Sequence, residues 1–373
     1  RNAMLHWGAP TENQVYADDK GNIGWVPGGL APIRPNWDGL LPVPGDGRYE
    51  WNGFWRGDQL PSAYNPPAGY FSTSNQYNLP EGYPVAERKL GFEWTNASRH
   101  ERIEEVLRNL PSITLEASQQ LQNDIVSLPA RRLLTLLRPL SSDDPDTRAA
   151  LALLGGWDTS LGAASAPAAL QQVWFSRHLG KAFKAAVLTP QAAEAMGAPD
   201  TAVMLDALER PQALFGDQPE RKRDQVLLAS LGEAWAEMVK LQGPDARRWQ
   251  WGKLQYNLNE HPFAAIVDPA MRARLNVGPF PKGGGPYTPN QSTYRVSDFR
   301  QTNGPSFRVV VDVGNWDNSR AVNHPGQSGD PASPHYRDLA PLWLTGEYFP
   351  LLYSRKAVEA ATQARIRLLP AHR

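Results

Sequence analysis

Two polar side chains between residues 69 and 108 have types and positions that suit acyl-transfer chemistry. Asn75 stands in a short polar run that follows two aromatic residues, Tyr70 and Phe71. A neutral amide there can donate a hydrogen bond to a developing oxyanion, which is usually the largest single contribution to such catalysis. Arg102 comes early in the helix predicted next, where its planar guanidinium can orient a carboxylate, an amide carbonyl or the surroundings of a nucleophile.

Each of these residues also has an ordinary structural interpretation. An asparagine in a polar loop most often bonds its own backbone in a turn. An arginine at the start of a helix is most often a solvated surface residue. Composition alone favours these interpretations over the catalytic ones.

Four loop-rich segments lead up to Asn75. They are an apolar hairpin with a polar turn longer than two residues at 17–24, a proline turn at 42–45, an aromatic-glycine segment at 51–55 and a proline-rich loop at 60–69. Prolines fix the backbone of the turns, and the aromatic side chains supply large apolar anchors. The sequence therefore predicts strands joined by long ordered loops in this part.

Helical spacing of apolar residues begins near Thr95 and continues to about Gly243. Thr114 is a predicted N-cap of one helix, and the SSDDPDT segment is a predicted N-cap of a later one. The last hundred residues return to loop and strand, with a buried strand predicted over 307–313 and a closing helix from about Arg355.

Composition excludes several classes of protein. The 373 residues carry 38 basic and 38 acidic side chains, and no basic run is long enough to track nucleic acid. No apolar run is long enough to cross a bilayer, and the N-terminus is not a signal peptide. Cysteine is absent, which excludes disulfides and a thiol nucleophile. The 34 Pro and 31 Gly lie among aromatic residues, so a folded protein is expected.

The stretch around Asn75 resembles the penicillin acylase (penicillin amidase) family of N-terminal-nucleophile hydrolases. The segment GYFSTSNQ follows the family's glycine-aromatic-x-x-x-x-Asn pattern, which assigns the family's oxyanion-hole asparagine to Asn75. The run RHERI assigns its functional arginine to Arg102, with Arg99 as the neighbour that could be mistaken for it. The segments before Asn75 and the Ser-Pro-His-Tyr segment near the end also follow the family's order, so the resemblance spans nearly the whole chain.

The resemblance implies an α+β fold, the four-layer αββα sandwich of N-terminal-nucleophile hydrolases. Here the sandwich would be incomplete, without its upstream part, and would carry a large helical insertion. Residues 1–94 would form a strand- and loop-rich part with the Asn75 loop, 95–273 a mainly helical region, and 274–373 the closing strands and C-terminal helix.

The resemblance also implies hydrolysis of a linear amide C–N bond through an acyl-enzyme. Family members mature from a zymogen by self-cleavage, which exposes an N-terminal Ser whose own α-amino group is the base. This chain begins beyond the family's nucleophile, so we expect it to be inactive alone and to need an upstream segment or companion α-chain. The expected substrate is a small-molecule amide, as in antibiotic biosynthesis, and the expected location is periplasmic or secreted. No cofactor is required; a structural calcium ion would use Glu87.

Other interpretations are a catalytically inactive remnant that binds a partner chain, and a Trp-rich carbohydrate-binding module. A serine triad would use Ser328, but its Gly-Gln-Ser-Gly-Asp-Pro context is not a nucleophile elbow, so a local loop hydroxyl is favoured. Its candidate partners are His324, His335, Asp312 and Asp330. A glycosidase would need two carboxylates, and spacing gives no reason to pair any of Glu93, Glu101, Asp312 and Asp317.

Overall fold

The computed structural model describes residues 2–370, and it has the mixed α+β composition expected from the sequence. The helices are α1 Ser98–Asn109, α2 Leu115–Gln122, α3 Leu128–Leu137, α4 Pro145–Leu154, α5 Ala166–Val173, α6 Gly180–Val187, α7 Pro190–Ala195, α8 Thr201–Glu209, α9 Pro219–Gln242, α10 Pro269–Leu275, α11 Ala340–Thr345 and α12 Arg355–Ala361. The strands are β1 Glu12–Ala17, β2 Ile23–Gly28, β3 Ala31–Pro32, β4 Phe54–Trp55, β5 Ala63–Tyr64, β6 Tyr256–Asn259, β7 Val277–Pro281, β8 Thr293–Tyr294, β9 Gln301–Asn303, β10 Phe307–Val310, β11 Arg320–Asn323 and β12 Phe349–Pro350.

The chain divides into two compact units. In the described chain, unit 1 comprises residues 2–100, 311–319 and 351–370, and unit 2 comprises residues 101–310 and 320–350. The division into 1–94, 95–273 and 274–373 stays a prediction.

Unit 1 is built on a hairpin. β1 pairs antiparallel with β2 from Glu12 opposite Gly28 to Ala17 opposite Ile23, and β5 adds to the other side of β2. This is the hairpin predicted at 17–24, and its turn is longer than two residues, as expected.

The hydrophobic core of unit 1 is small. Among its described residues only Trp25 and Leu60 are buried hydrophobic side chains. Arginine–aromatic contacts add to this packing: the guanidinium of Arg34 lies 5.8 Å from the ring centroids of both Trp37 and Trp51.

Unit 2 contains the main hydrophobic core. Leu133, Leu170, Trp174 and Trp251 are all fully buried in one cluster. A six-residue π-helical turn joins α5 to α6. Large aliphatic and indole side chains of this kind contribute most of the free energy of folding in helical packing.

Side-chain caps begin several helices of the described chain at the predicted places. The hydroxyl of Thr114 accepts a hydrogen bond from the Ala117 amide at 3.1 Å, at the start of α2. Asp144, in the predicted SSDDPDT segment, caps α4. The closing helix begins at Arg355, as expected, with Ser354 as its cap.

The strand predicted over 307–313 is shorter than expected and is buried on one face only. β10 ends at Val310, Phe307 is exposed, and Arg308 is buried. The guanidinium of Arg308 is retained inside because Nη1 donates to the Trp343 carbonyl at 3.0 Å and Nη2 to Asn290 Oδ1 at 2.9 Å. Alternation of residue types could not reveal these partners.

None of the helices within residues 2–370 combines the length and apolar character needed to cross a lipid bilayer.

Candidate active site

Asn75 adopts a backbone conformation that few residue types tolerate. Its φ is 70°, in the left-handed region, where asparagine is enriched over other non-glycine residues. Its carbonyl accepts a hydrogen bond from the Thr95 amide at 3.1 Å. The loop therefore fixes the position from which the Asn75 side chain projects.

The Asn75 side chain is oriented by Arg99. Nη2 of Arg99 donates to Oδ1 of Asn75 at 2.9 Å, and both residues belong to unit 1. Because the oxygen of the amide accepts this bond, the NH₂ group faces away from Arg99. Among the described residues, that NH₂ group donates to no protein acceptor. The amide is thus held at one end and has both donors available at the other.

Arg99 is an unusual hydrogen-bond partner for the Asn75 side-chain amide. In the described chain no carboxylate forms an ion pair with it, and its Nε is buried without a hydrogen-bond partner. Burial lowers the pKa of Arg99. An unneutralised guanidinium polarises a hydrogen-bonded amide, so the donors of Asn75 become stronger.

Neighbouring contacts hold the loop that carries Asn75. Gln76 is buried, and its Oε1 accepts from the Ser74 amide at 2.7 Å. The hydroxyl of Ser72 lies 3.0 Å from Nδ1 of His100. Phe71 stacks on Trp25, with ring centroids 4.7 Å apart. Phe71, one of the two aromatic residues that precede Asn75, therefore helps to anchor the loop.

Asn75 lines a cavity of about 380 Å³ in unit 1. Most of the other lining residues are apolar or aromatic, among them Trp25, Leu60 and Trp94. Asn13 and Asn78 are the other two amide side chains in the wall. An apolar cavity with a few polar groups is the usual form of a small-molecule site.

Arg102, the arginine assigned from the sequence, lies in unit 2 and is held by acidic residues. Its Nε and Nη2 donate to one carboxylate oxygen of Asp124 at 2.9 and 2.7 Å, and Nη1 lies 3.3 Å from Glu105. The other Asp124 oxygen accepts from the Val126 amide at 2.8 Å. Arg102 thus fixes a turn in unit 2, and a catalytic role for it stays a prediction.

Glu87 does not have the surroundings of a calcium ligand. Its side chain is 66% exposed, and its contact is Arg88, whose Nε lies 3.7 Å away. No group of three or more metal-ligating side chains occurs in the described part of the chain. The surroundings of Glu87 therefore do not fit a calcium ion. Calcium binding by this protein stays a prediction.

The serine-triad candidates contact other groups, and none of the side-chain contacts among the described residues joins Ser328 to a histidine. Ser328 Oγ accepts from the Asp330 amide at 3.1 Å, as expected of a loop hydroxyl. His335 pairs with Asp338 at 2.7 Å, and His324 packs against Trp343 with ring centroids 4.2 Å apart.

The sequence analysis assigned the functional arginine to Arg102 and named Arg99 only as the neighbour that could be mistaken for it. Arg99 lies 24 positions after Asn75 and three before Arg102. Both arginines lie in the first turns of the same amphipathic helix, so the helical pattern does not distinguish them. A signal was present in the sequence: a glutamate three positions after Arg102 offers that arginine a structural partner on the same helix.

Comparison with known proteins identifies the family to which this chain belongs. The family model for penicillin amidase matches residues 1–360, and the chain belongs to that family. The fold is also similar to that of a thermostable penicillin G acylase from Alcaligenes faecalis, with a TM-score of 0.67 and 22% identity over 98% of this chain and 68% of that one.

Particular relatives are more similar in sequence. An acyl-homoserine lactone acylase, QuiP, of Pseudomonas putida is 32% identical over 97% of this chain and 47% of its own length. Penicillin acylase 2 proenzyme of Pseudomonas sp. strain SE83 is 30% identical over 98% of this chain and 47% of its own length. The chain spans about half the length of these curated relatives.

Proposed function

We propose that this chain is part of an amidohydrolase that cleaves a linear amide C–N bond, with Asn75 as the donor to the oxyanion. The single observation that supports this proposal is the Asn75 amide, held by Arg99 at its oxygen and bearing two uncommitted N–H donors beside a cavity. Family membership supplies the reaction class.

The proposed reaction is acyl transfer to a serine hydroxyl. The hydroxyl oxygen attacks the amide carbon, the carbonyl oxygen becomes an oxyanion, and Asn75 Nδ2 donates to it. The C–N bond then breaks, the amine leaves with a proton, and water hydrolyses the acyl-enzyme. The serine would come from a segment outside these 373 residues, with its own α-amino group as base. This chain is accordingly expected to be inactive without that segment.

Arg99 is proposed as a positioning residue for Asn75. Its hydrogen bond selects one orientation of the amide, and its charge strengthens the donors without contacting the oxyanion. Arg102, which was assigned from the sequence, is the competing candidate for this supporting role. Alanine variants of the two arginines, described below, distinguish them.

The proposed substrates are N-acylated small molecules. The relatives include acylases of acyl-homoserine lactones and of penicillins, and both kinds of substrate join an acyl chain to an amine through an amide. We propose further that the units contribute to the four-layer αββα sandwich of the family, and that the protein works in the periplasm or outside the cell.

The test uses the complete enzyme, expressed from a reading frame that includes the upstream nucleophile, with an acyl-homoserine lactone and penicillin G as substrates. Asn75→Ala should lower kcat by about 100- to 1,000-fold with little change in KM, because the lost hydrogen bond strengthens only as charge develops. Arg99→Ala should lower kcat by a smaller factor. Since Arg99 acts through Asn75, the double variant should be no worse than Asn75→Ala.

Asn78→Ala is the matched control, because it removes another amide from the same cavity wall. It should leave kcat within about threefold of the parent enzyme, far from the loss expected for an oxyanion donor. An unchanged kcat in Asn75→Ala refutes the oxyanion role. A loss in Arg102→Ala that exceeds the loss in Arg99→Ala, at equal stability, would return the supporting role to Arg102.

The inactive-remnant interpretation has one observation in its favour. Several large hydrophobic side chains of unit 1 are exposed, among them Leu41, Trp51 and Phe54. Such surface often marks a contact with another chain. A stop codon immediately upstream of this sequence would favour that interpretation, and a Ser-Asn-x-Trp-like start would favour the enzyme.

A further inference from the structure

A second cavity, of about 380 Å³, lies entirely within unit 2 and is called here the α6 cavity. Its wall contains the aromatic rings of Phe175, Tyr287 and Tyr294, together with the thioether of Met204. The rings of Phe175 and Tyr287 meet edge to face, with centroids 6.0 Å apart and an interplanar angle of 83°. A cavity of this size and lining suits the apolar body of a small molecule.

The hydroxyl groups of this wall already have partners inside the protein. The hydroxyl of Tyr294 donates to Oε1 of Gln172 at 2.8 Å. The hydroxyls of Tyr287 and Thr201 lie 2.7 Å apart, and the hydroxyl of Ser176 donates to the Gln172 carbonyl at 2.7 Å. Because these groups are satisfied, an apolar group can lie beside them without leaving a hydrogen bond unmade.

One basic residue of the wall, Arg177, is already neutralised. Its Nη1 donates to Oε1 of Glu237 at 2.5 Å. Its Nε donates to the Val296 carbonyl at 3.0 Å, and its Nη2 donates to the carbonyls of Val296 and Ser297. This arginine therefore has a structural role at the edge of the cavity.

The other two basic residues carry positive charge that nothing in the cavity neutralises. Lys181 and Lys184 both line it, and their spacing of three on α6 places them on one face of that helix. Nζ of Lys184 donates to the carbonyls of Ala193 and Met196, which leaves one of its three N–H donors. Among the described residues neither lysine forms an ion pair, and the lining includes no acidic side chain.

The backbone of the wall is also unusual. The π-helical turn Trp174–Leu179 joins α5 to α6, and residues 175–177 of this turn line the cavity. Single π-helical turns are rare and occur frequently at functional sites. This irregularity is a separate observation from the charges of the two lysines, and it points to the same cavity.

We propose that the α6 cavity is a binding site for a small aromatic monocarboxylate. The ring lies against Phe175, Tyr287 and Met204, because aromatic rings pair favourably edge to face and thioether sulfur contacts rings favourably. The carboxylate pairs with the ammonium groups of Lys181 and Lys184 through charge-assisted hydrogen bonds. The site shares no residue with the cavity of unit 1, so it does not depend on the proposed reaction.

The first experiment detects binding at this cavity alone. The complete protein encoded by the reading frame that contains this chain is labelled with ¹³Cε-methionine, and the Met204 and Met238 signals are assigned from Met204→Leu and Met238→Leu. Added 3-phenylpropionate should shift the Met204 methyl signal in a saturable way, because the ring current of a bound ligand acts on nearby protons. Met238 is buried in unit 2 but does not line the cavity, so its signal should not move.

An unchanged Met204 signal at saturating ligand overturns the proposal, as it would if an upstream segment filled the cavity. Two further probes test the ligand class. Phenylpropanol retains the ring without the charge, and hexanoate retains the charge without the ring. Each should bind at least about fivefold more weakly than 3-phenylpropionate. Equal or tighter binding of either probe refutes the aromatic carboxylate class.

The second experiment tests the position of the carboxylate. Lys181→Met removes an exposed side chain that forms no ion pair in the described chain, and it should raise the Kd of 3-phenylpropionate by about fivefold. Lys181→Arg should retain most of the affinity. Lys240→Met is the matched control, because Lys240 is an exposed lysine of α9 that does not line the cavity. If Lys181→Met and Lys240→Met have the same Kd, the proposed pairing of the carboxylate is wrong.

Discussion

Replacing Arg102 by methionine should remove an ion pair that is largely shielded from water. The side chains of Arg102 and Asp124 are 18% and 14% exposed, and two N–H donors reach one carboxylate oxygen at 2.9 and 2.7 Å. Exposed pairs contribute less than about 1 kcal/mol, whereas breaking a fully buried pair costs about 3–5 kcal/mol. For this intermediate burial we expect a loss of about 2 kcal/mol in the free energy of unfolding.

The measurement is urea denaturation, with the change in midpoint multiplied by the common m-value. For a unit of this size the same loss lowers Tm by about 4 to 8 °C. Arg108→Met is the matched control, since Arg108 lies on the same helix, is 70% exposed and pairs with Glu104 at 3.0 Å. Its expected cost is below about 0.5 kcal/mol.

A double-mutant cycle with Asp124→Asn isolates the pair itself. The coupling free energy between Arg102 and Asp124 should be about 1 to 2 kcal/mol. If Arg102→Met unfolds at the same urea concentration as the parent protein, the structural role deduced from this ion pair is refuted. The catalytic assignment of Arg102 would then regain weight.

Two further predictions concern unit 2. Leu170→Ala, at a fully buried position of the helical core, should lower the free energy of unfolding by about 2 to 5 kcal/mol, as measured by urea denaturation. Leu214→Ala, at an exposed position, should lower it by less than about 0.5 kcal/mol. Equal losses in the two variants would contradict the core described above. Burial lowers the pKa of Lys282 to about 7 from the 10.5 of an exposed lysine, so between these values the unfolded chain binds more protons than the folded one. The free energy of unfolding should therefore rise with pH across this window, by on the order of 5 kcal/mol in the limit. Lys282→Met should flatten that rise in urea midpoints measured from pH 7 to 10, and an unchanged slope would refute it.

Local signals in the sequence predicted local structure well. Thr114 begins a helix because its hydroxyl reaches an amide three residues later, and a sequence displays that relation directly. The hairpin of unit 1 was predicted for a similar reason, since a polar turn lies between two short apolar runs. The start of the closing helix at Arg355 also depends on neighbours in sequence.

Contacts between residues far apart in the sequence could not be predicted from such local signals. Asp124 lies 22 positions after Arg102, and its carboxylate determines what this arginine does. The burial of Arg308 depends on Asn290 and on the carbonyl of Trp343, 18 and 35 positions away. Alternation of residue types cannot register such partners, so the predicted buried strand gave no reason to expect a buried arginine within it. The oxyanion assignment of Asn75, by contrast, came from a resemblance and stays a prediction.

The small core of unit 1 has a consequence for how this protein can change. Stability resides chiefly in the tightly packed helices of unit 2. The cavity beside Asn75 is lined by residues of β1 to β3 and by loops, and the only buried hydrophobic side chains in the described part of unit 1 are Trp25 and Leu60. Loops of this kind accept substitutions more readily than a close-packed interior does. Under the proposed function, a new acyl preference could therefore evolve, or be selected in the laboratory, by altering the cavity wall while the helical core retains most of the folding free energy.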